Sequence, residues 1–181
     1  MRRRGQGPAR AGLLDPRGGP VHRARMTDLI SDRLAELGIQ LPEPAAPVAS
    51  YVPAIEAGGF LYISGQLPFR ANGSLITGRL GEDYDVAHGQ EAAERCGVML
   101  LAQMRKALGS LDRVERIVKL GAFIASDPHF TEQPQVANGA SELMERVFGE
   151  AGRHARSAVG VPVLPLGAAV EIDAVVLVKS G

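Results

Sequence analysis

The segment from Ala169 to Val178, near the end of this 181-residue chain, is apolar nearly throughout, and it constrains the fold more than any other feature. Alternate side chains of an extended strand point to opposite faces of a sheet. One face would carry Val170, Ile172, Ala174, Val176 and Val178, and the other Ala169, Glu171, Asp173, Val175 and Leu177. The helices of so small a chain can cover only one of these faces. The other face is partly apolar and partly acidic, which predicts contact with a second subunit and a carboxylate held in a cleft.

Periodicity in the rest of the chain predicts alternating strands and helices. The predicted helices are 27–38, 85–108 and 135–148, and the predicted strands are 51–56, 60–64, 114–125, 156–161 and 169–178. Thr27 is placed as the N-cap of the first helix, and Ala57-Gly58-Gly59 as a hairpin turn. The order is a short helix followed by β-β-α-β-α-β-β, an α+β fold whose helices cover one face of a single sheet.

The composition divides the chain into three parts. Residues 1–25 contain seven Arg, five Gly and three Pro with a single acid, Asp15, and they predict a disordered basic extension. Met26 offers an alternative translation start. Residues 26–48 comprise the first helix and a proline-rich linker, and residues 49–181 form the folded domain.

Charge and cysteine content exclude several classes of function. Residues 26–181 contain 13 Lys and Arg against 19 Asp and Glu, a net charge of −6, which disfavours a nucleic-acid-binding protein. No apolar run reaches the roughly 20 residues that a membrane-spanning helix needs. The single cysteine, Cys96, excludes an internal disulfide and multi-cysteine metal sites, and is expected to fill the core. A reducing compartment, the cytoplasm, is predicted.

Motifs for cofactors and metals are missing from the sequence. It contains no P-loop, dinucleotide fingerprint or nucleophile elbow. The four histidines are scattered at His22, His88, His129 and His154. We therefore predict a protein without a cofactor or a metal ion.

Arg156 begins the predicted strand 156–161, and it shares a face with the small residues Ala158 and Gly160. The room beside its planar guanidinium suits a carboxylate bound through two parallel hydrogen bonds. An ordinary ion pair is the alternative, with Glu171 on a neighbouring strand as its partner. Glu171 could equally be the base that holds a water molecule beside whatever Arg156 binds.

Four segments, taken together and in this order, resemble the Rid or YjgF-like family of reactive-intermediate deaminases. They are LYISGQLP at 61–68, VKLGAFI at 118–124, ARSAV at 155–159 and VEIDA at 170–174. The resemblance extends over about residues 51–178. The leading helix and the proline-rich linker are similar to the branch of the family that carries an N-terminal addition.

The resemblance implies a chorismate-mutase-like homotrimer, with the sheets in a central barrel and three ligand clefts between subunits. It also implies cofactor-independent hydrolysis of enamine or imine acids, such as 2-aminoacrylate and 2-iminopropanoate, to 2-oxo acids and ammonia. By the same resemblance, Arg156 would bind the substrate carboxylate and Glu171 would position the attacking water. Tyr51, Asn138 and Gly65 match other positions of the family that contact the ligand.

Two departures from the family pattern affect these expectations. Ala158 replaces the usual cysteine two residues after the arginine, and residues 127–138 are longer than in compact members. A longer rim that fills the cleft would favour a second hypothesis, a trimer that binds small carboxylates without turnover. A third, the endoribonuclease of the family's older name, is disfavoured by the acidic charge and the missing histidine pair.

Overall fold

The computed structural model describes residues 29–44 and 50–180. The predicted basic extension, Met26, the N-cap Thr27 and the part of the predicted linker from 45 to 48 lie outside these ranges. The helices are α1 (Leu29–Glu36), α2 (Val86–Leu108) and α3 (Gln133–Phe148), and the strands are β1 (Ala54–Ala57), β2 (Phe60–Gln66), β3 (Val114–Ala125), β4 (Ala155–Val161) and β5 (Val170–Val178). The predicted element order and the α+β class are confirmed.

The five strands form one sheet in the order β1-β2-β5-β3-β4, in which β3 and β4 are parallel and every other pair is antiparallel. The helices α2 and α3 pack together and contact one face of the sheet. On that face the β5 residues Val170, Ile172, Ala174, Val176 and Val178 are at most 5% exposed. The other β5 face, which includes Val175 and Leu177, is only half-buried. One covered face was expected, and it is observed.

The opening hairpin is shorter than the predicted strand 51–56. β1 begins only after Pro53, which has no N–H to donate, although its carbonyl accepts a hydrogen bond from the Ser64 N–H at 2.9 Å. Gly58 and Gly59 form the turn with φ of 60° and 81°, values that match a two-residue turn of type I′.

The first helix is fixed by residues far away in sequence. The backbone N–H groups of Leu29 and Ile30 donate to the carboxylate of Asp112 at 3.0 and 3.1 Å. Arg33 Nε donates to the carbonyl of Arg146, at the end of α3. The N-terminal addition is therefore docked onto the domain through a carboxylate that caps α1.

Cys96 lies in α2 with 0% exposure, and its Sγ is 3.5 Å from the carbonyl of Val170. Burial raises the pKa of this thiol well above its usual value. The prediction that it fills the core is confirmed.

Candidate functional site

Arg156 lies at the start of the edge strand β4 and is held by helix α3. Its Nη1 donates to Asn138 Oδ1 at 3.0 Å and to Ser141 Oγ at 2.9 Å, and its Nη2 donates to the Pro134 carbonyl at 3.0 Å. A guanidinium has five N–H groups. In the described part of the chain, Nε–H and the second N–H of Nη2 make no hydrogen bond. The helix thus fixes the group and leaves donors on two adjacent nitrogens for a ligand.

The fold brings Arg156 to α3 through strand register. In the parallel pair of β3 and β4, Arg156 lies opposite Leu120, which is 1% exposed beneath the helices. The side chain therefore points to the helix-covered face, where the small Ala158 follows it. Partial burial lowers the pKa of the guanidinium, and its hydrogen bonds to α3 compensate part of the desolvation.

A cleft of about 350 Å³ lies at the carboxyl end of β4, whereas Arg156 lies at the start of that strand and is not among the residues that line the cleft. The cleft is lined by Arg79, Ser126, Asp127, Pro128, Gln133, Gly160, Val161 and Pro162. The carboxyl ends of the parallel strands β3 and β4 meet here with the first turn of α3, a common place for ligands in βαβ units. A side chain at Gly160 would collide with Ser126 Oγ, 2.6 Å from the position of its Cβ. Three residues of the longer rim line this cleft, namely Asp127, Pro128 and Gln133.

Glu171 lies on the other face of the sheet, over the backbone of Gly65. A Cβ at position 65 would collide with Glu171 Oε1, so the carboxylate depends on the glycine for its place. The register between β2 and β5 shifts between Ile63 and Gln66, which marks a β-bulge at Ser64 and Gly65. Bulges of this kind often redirect side chains beside active sites.

Gln66, which follows Ser64 and Gly65 in the segment LYISGQLP, stabilises this bulge. Its side chain is buried, and its Nε2 donates to the carbonyls of Ser64 and Gly65 at 2.9 and 3.2 Å. Gln103 of α2 donates to Gln66 Oε1 at 3.3 Å. The predicted site set omitted Gln66 because the predicted strand 60–64 ended before it, whereas β2 continues to Gln66.

The surroundings of Glu171 favour its neutral form. Burial raises the pKa of this carboxyl, and the nearby charge of Asp173 raises it further. Burial also raises the pKa of Asp173, whereas the Gly121 N–H, which donates to Asp173 Oδ1 at 3.1 Å, and the charge of Lys119 oppose that change. Two carboxylates with raised pKa therefore share the open face of β5.

Tyr51 is 51% exposed and belongs to the Gly65 side of the molecule. The carbonyl of the next residue, Val52, accepts a hydrogen bond from Ser64 Oγ at 3.0 Å. The structure thus places the predicted site residues in two groups. Arg156 contacts Asn138, Glu171 contacts Gly65, and Tyr51 follows the second group.

The structure contradicts the hypothesis that Arg156 and Glu171 of one chain form an ion pair. We expected Glu171 on a neighbouring strand, but β3 lies between β4 and β5. Glu171 lies opposite Phe123, whereas Arg156 lies opposite Leu120, so the two side chains point to opposite faces of the sheet. The proposed ion pair between them within one chain is wrong because strand order and side-chain alternation both separate them.

The described residues offer neither a metal cluster nor a membrane anchor of the helical type. In 29–44 and 50–180, no three His, Cys, Asp or Glu side chains group closely enough to hold a metal ion. Among the helices that the structure describes, none has the length and apolarity to cross a membrane.

Comparison with known proteins decides the family. The sequence profile described as "YjgF/chorismate mutase-like, putative endoribonuclease" matches residues 31–176, which is most of the chain. The chain belongs to the YjgF/RidA family. The resemblance of the four sequence segments is thereby confirmed.

Some relatives within the YjgF/RidA family are named for an activity and others are not. Protein TCP17 of Trypanosoma cruzi is 53% identical over 148 residues, which cover 81% of this chain and 92% of that protein. A crystal structure of the protein Atu1372 "with unknown function" from Agrobacterium tumefaciens is 51% identical, with a TM-score of 0.77, over 84% of this chain and 95% of that one. A 2-iminobutanoate/2-iminopropanoate deaminase of Dermatophagoides farinae is 26% identical over 78% of this chain and 95% of that protein.

Proposed function

We propose that this YjgF/RidA protein hydrolyses reactive enamine and imine acids to 2-oxo acids and ammonia without a cofactor. The observation that carries the proposal is the state of Arg156, which has three N–H groups held by α3 and two free donors on adjacent nitrogens. Such a fixed, charged pair of donors suits a carboxylate. The named deaminase among the relatives supports the same chemistry.

The reaction needs a carboxylate clamp and one group that positions water. Arg156 holds the substrate carboxylate, and Glu171 accepts a proton from the water that adds to the imine carbon. The carbinolamine that forms then expels its nitrogen as ammonia while the carbonyl of the 2-oxo acid is made. Burial and the charge of Asp173 raise the pKa of Glu171, so its ionised carboxylate is a stronger base than that of an ordinary glutamate.

Because the two groups of site residues point to opposite faces of one sheet, we propose that a complete site needs two copies of the chain. Arg156 and Asn138 of one copy would meet Glu171 and Gly65 of the next. The open face provides apolar surface for such contact, since Ile55, Tyr62 and Val159 are 56%, 45% and 45% exposed. In a closed ring of three copies, each copy has a neighbour that completes its site.

We therefore predict a homotrimer. Light scattering should give about three times the 19.1 kDa chain mass. Val175→Lys places a charge in the middle of the open face, so it should dissociate the assembly and abolish turnover at the same time. A wild-type monomer that is fully active would contradict the shared site.

The activity itself is tested with imines generated in place by a pyridoxal-phosphate dehydratase. Release of ammonia and 2-oxo acid should be faster in the presence of the protein than in its absence. An unchanged rate at saturating protein would reject the proposed function.

Gly65→Ala provides a test of the bulge. The added methyl group collides with the flexible end of Glu171, so the fold should tolerate it while the carboxylate moves. We expect imine hydrolysis to fall by about tenfold or more, with an unfolding temperature close to that of the wild type. Unchanged turnover in Gly65→Ala would show that the place of Glu171 is unimportant.

The second candidate function is binding of a small carboxylate without turnover. It would use the same Arg156 donors. The carboxylate of Glu171 at the Gly65 bulge favours turnover because it can accept a proton from water, which a protein that only binds a carboxylate does not need. Tight binding of a 2-oxo acid without any acceleration of imine hydrolysis would favour the binding protein.

A further inference from the structure

A chain of hydrogen bonds continues from Arg156 away from the ligand side. Arg156 Nη1 lies 2.9 Å from Ser141 Oγ, which lies 3.0 Å from His154 Nε2. His154 Nδ1 lies 2.6 Å from the carbonyl oxygen of Gly152. All three side chains are partly buried. These hydrogen bonds join α3, the turn before β4 and the start of β4.

The chemistry of its two ends fixes the direction of the two outer bonds, and the direction of the middle bond follows when the imidazole is uncharged. The Gly152 carbonyl can only accept, so Nδ1 of His154 carries the proton. Arg156 can only donate, so Ser141 Oγ accepts from it and has its own hydrogen left to give. Nε2 of a neutral His154 in this tautomer is an acceptor and lies within reach. The order of donation is therefore Arg156 to Ser141, Ser141 to His154, and His154 to Gly152.

We propose that His154 is a positioning residue for the carboxylate clamp. His154 accepts a hydrogen bond from the Ser141 hydroxyl. This bond keeps a lone pair of Ser141 Oγ directed at Nη1 of Arg156. The guanidinium plane is then fixed, and its free donors on Nε and Nη2 remain presented to the ligand. The assignment of a ligand to those donors rests on the proposed function, whereas the hydrogen-bond chain does not.

A serine within a helix has another use for its hydrogen. When no better acceptor is present, the hydroxyl commonly donates to a backbone carbonyl one turn earlier. Ser141 would then rotate, and its bond from Arg156 would lengthen or break. His154 supplies the competing acceptor, and Gly152 holds the imidazole ring in place from its other side.

The first test compares His154→Phe with His154→Gln. The amide of glutamine keeps a donor and an acceptor, and phenylalanine keeps neither. Calorimetric titration with pyruvate should show about tenfold weaker binding for the phenylalanine variant and near-normal binding for the glutamine variant. In the imine assay, the loss should lie in KM, with kcat nearly unchanged. Equal losses in the two variants would overturn the positioning role.

A double-mutant cycle tests whether His154 acts through Ser141. Once Ser141→Ala has removed the link, adding His154→Phe should cause little further loss of pyruvate affinity. Losses that simply multiply in the double variant would mean that His154 contributes through packing alone.

Nitrogen-15 NMR of the histidines tests the hydrogen-bond chain without any ligand. At a pH where the imidazole is uncharged, the wild type should show the His154 proton on Nδ1, and Ser141→Ala should shift its Nε2 resonance. A proton on Nε2 instead would refute the derived direction. Wild-type protein that fails to bind pyruvate would count against the proposed function. The tautomer of His154 would still decide whether its side chain accepts the hydrogen bond from Ser141.

Discussion

Arg156→Ala is expected to remove carboxylate binding and imine turnover together, by about 30-fold to several thousand-fold. The range follows from the roughly 2 to 5 kcal/mol that is lost when one partner of a desolvated charge pair is deleted. The fold should survive because β4 lies at the edge of the sheet and the side chain is only half-buried. Titration with pyruvate and the coupled imine assay measure the two losses, and circular dichroism checks the fold.

Two further variants separate the geometry of Arg156 from its charge. Arg156→Lys keeps the charge but cannot make the bonds to α3 and present two donors at once, so it should recover little activity. Arg153→Ala removes a nearby arginine whose side chain is 62% exposed and paired with Glu145 and Glu150. It should behave like the wild type. Full activity in a folded Arg156→Ala protein would rule out the clamp.

Glu171→Gln should separate turnover from binding. Glutamine keeps the shape of the side chain and one acceptor oxygen, but it cannot accept the proton that water gives up. We expect imine hydrolysis to fall by about 10² or more, while affinity for pyruvate is kept or rises because a negative charge near the bound carboxylate is gone. Parallel loss of affinity and turnover would reject Glu171 as the group that positions water.

The pH dependence offers a second readout for the same residue. Glu171 must be ionised to act as a base, and its pKa is raised by burial and then by the charge of Asp173. The rate should therefore rise with pH through a midpoint above that of an ordinary glutamate. Asp173→Asn removes the charge contribution and should move that midpoint to lower pH. A midpoint that does not respond to Asp173→Asn would assign the titration to another group.

Much of the fold was predictable from local patterns in the sequence. The bounds 114–125 of the third strand matched the structure, and the alternation along β5 predicted which of its faces the helices cover. The cap on α1 could not be predicted, because Asp112 lies more than 80 residues from the N–H groups it accepts. Local periodicity carries no information about such distant partners.

For the candidate site, the sequence selected residues but did not reveal their arrangement. The small neighbours of Arg156 and the family resemblance selected the side chains that carry the proposal. Strand order was needed to see that Arg156 and Glu171 lie on opposite faces, since β3 lies between their strands. The roles of Ser141 and His154 were also out of reach, because a scattered histidine gains meaning only when its hydrogen bonds are known.

The position of β5 has a consequence for how the protein is made. Of the five strands, β5 is synthesised after the other four, yet it lies in the middle of the sheet between β2 and β3. Until it emerges, the amino-terminal hairpin has no strand to connect it to the β3, α3 and β4 unit, and both pieces keep unpaired edges. A nascent or truncated chain that ends before Val170 thus contains two unjoined parts of a sheet, and cooperative folding waits for the final nine-residue strand.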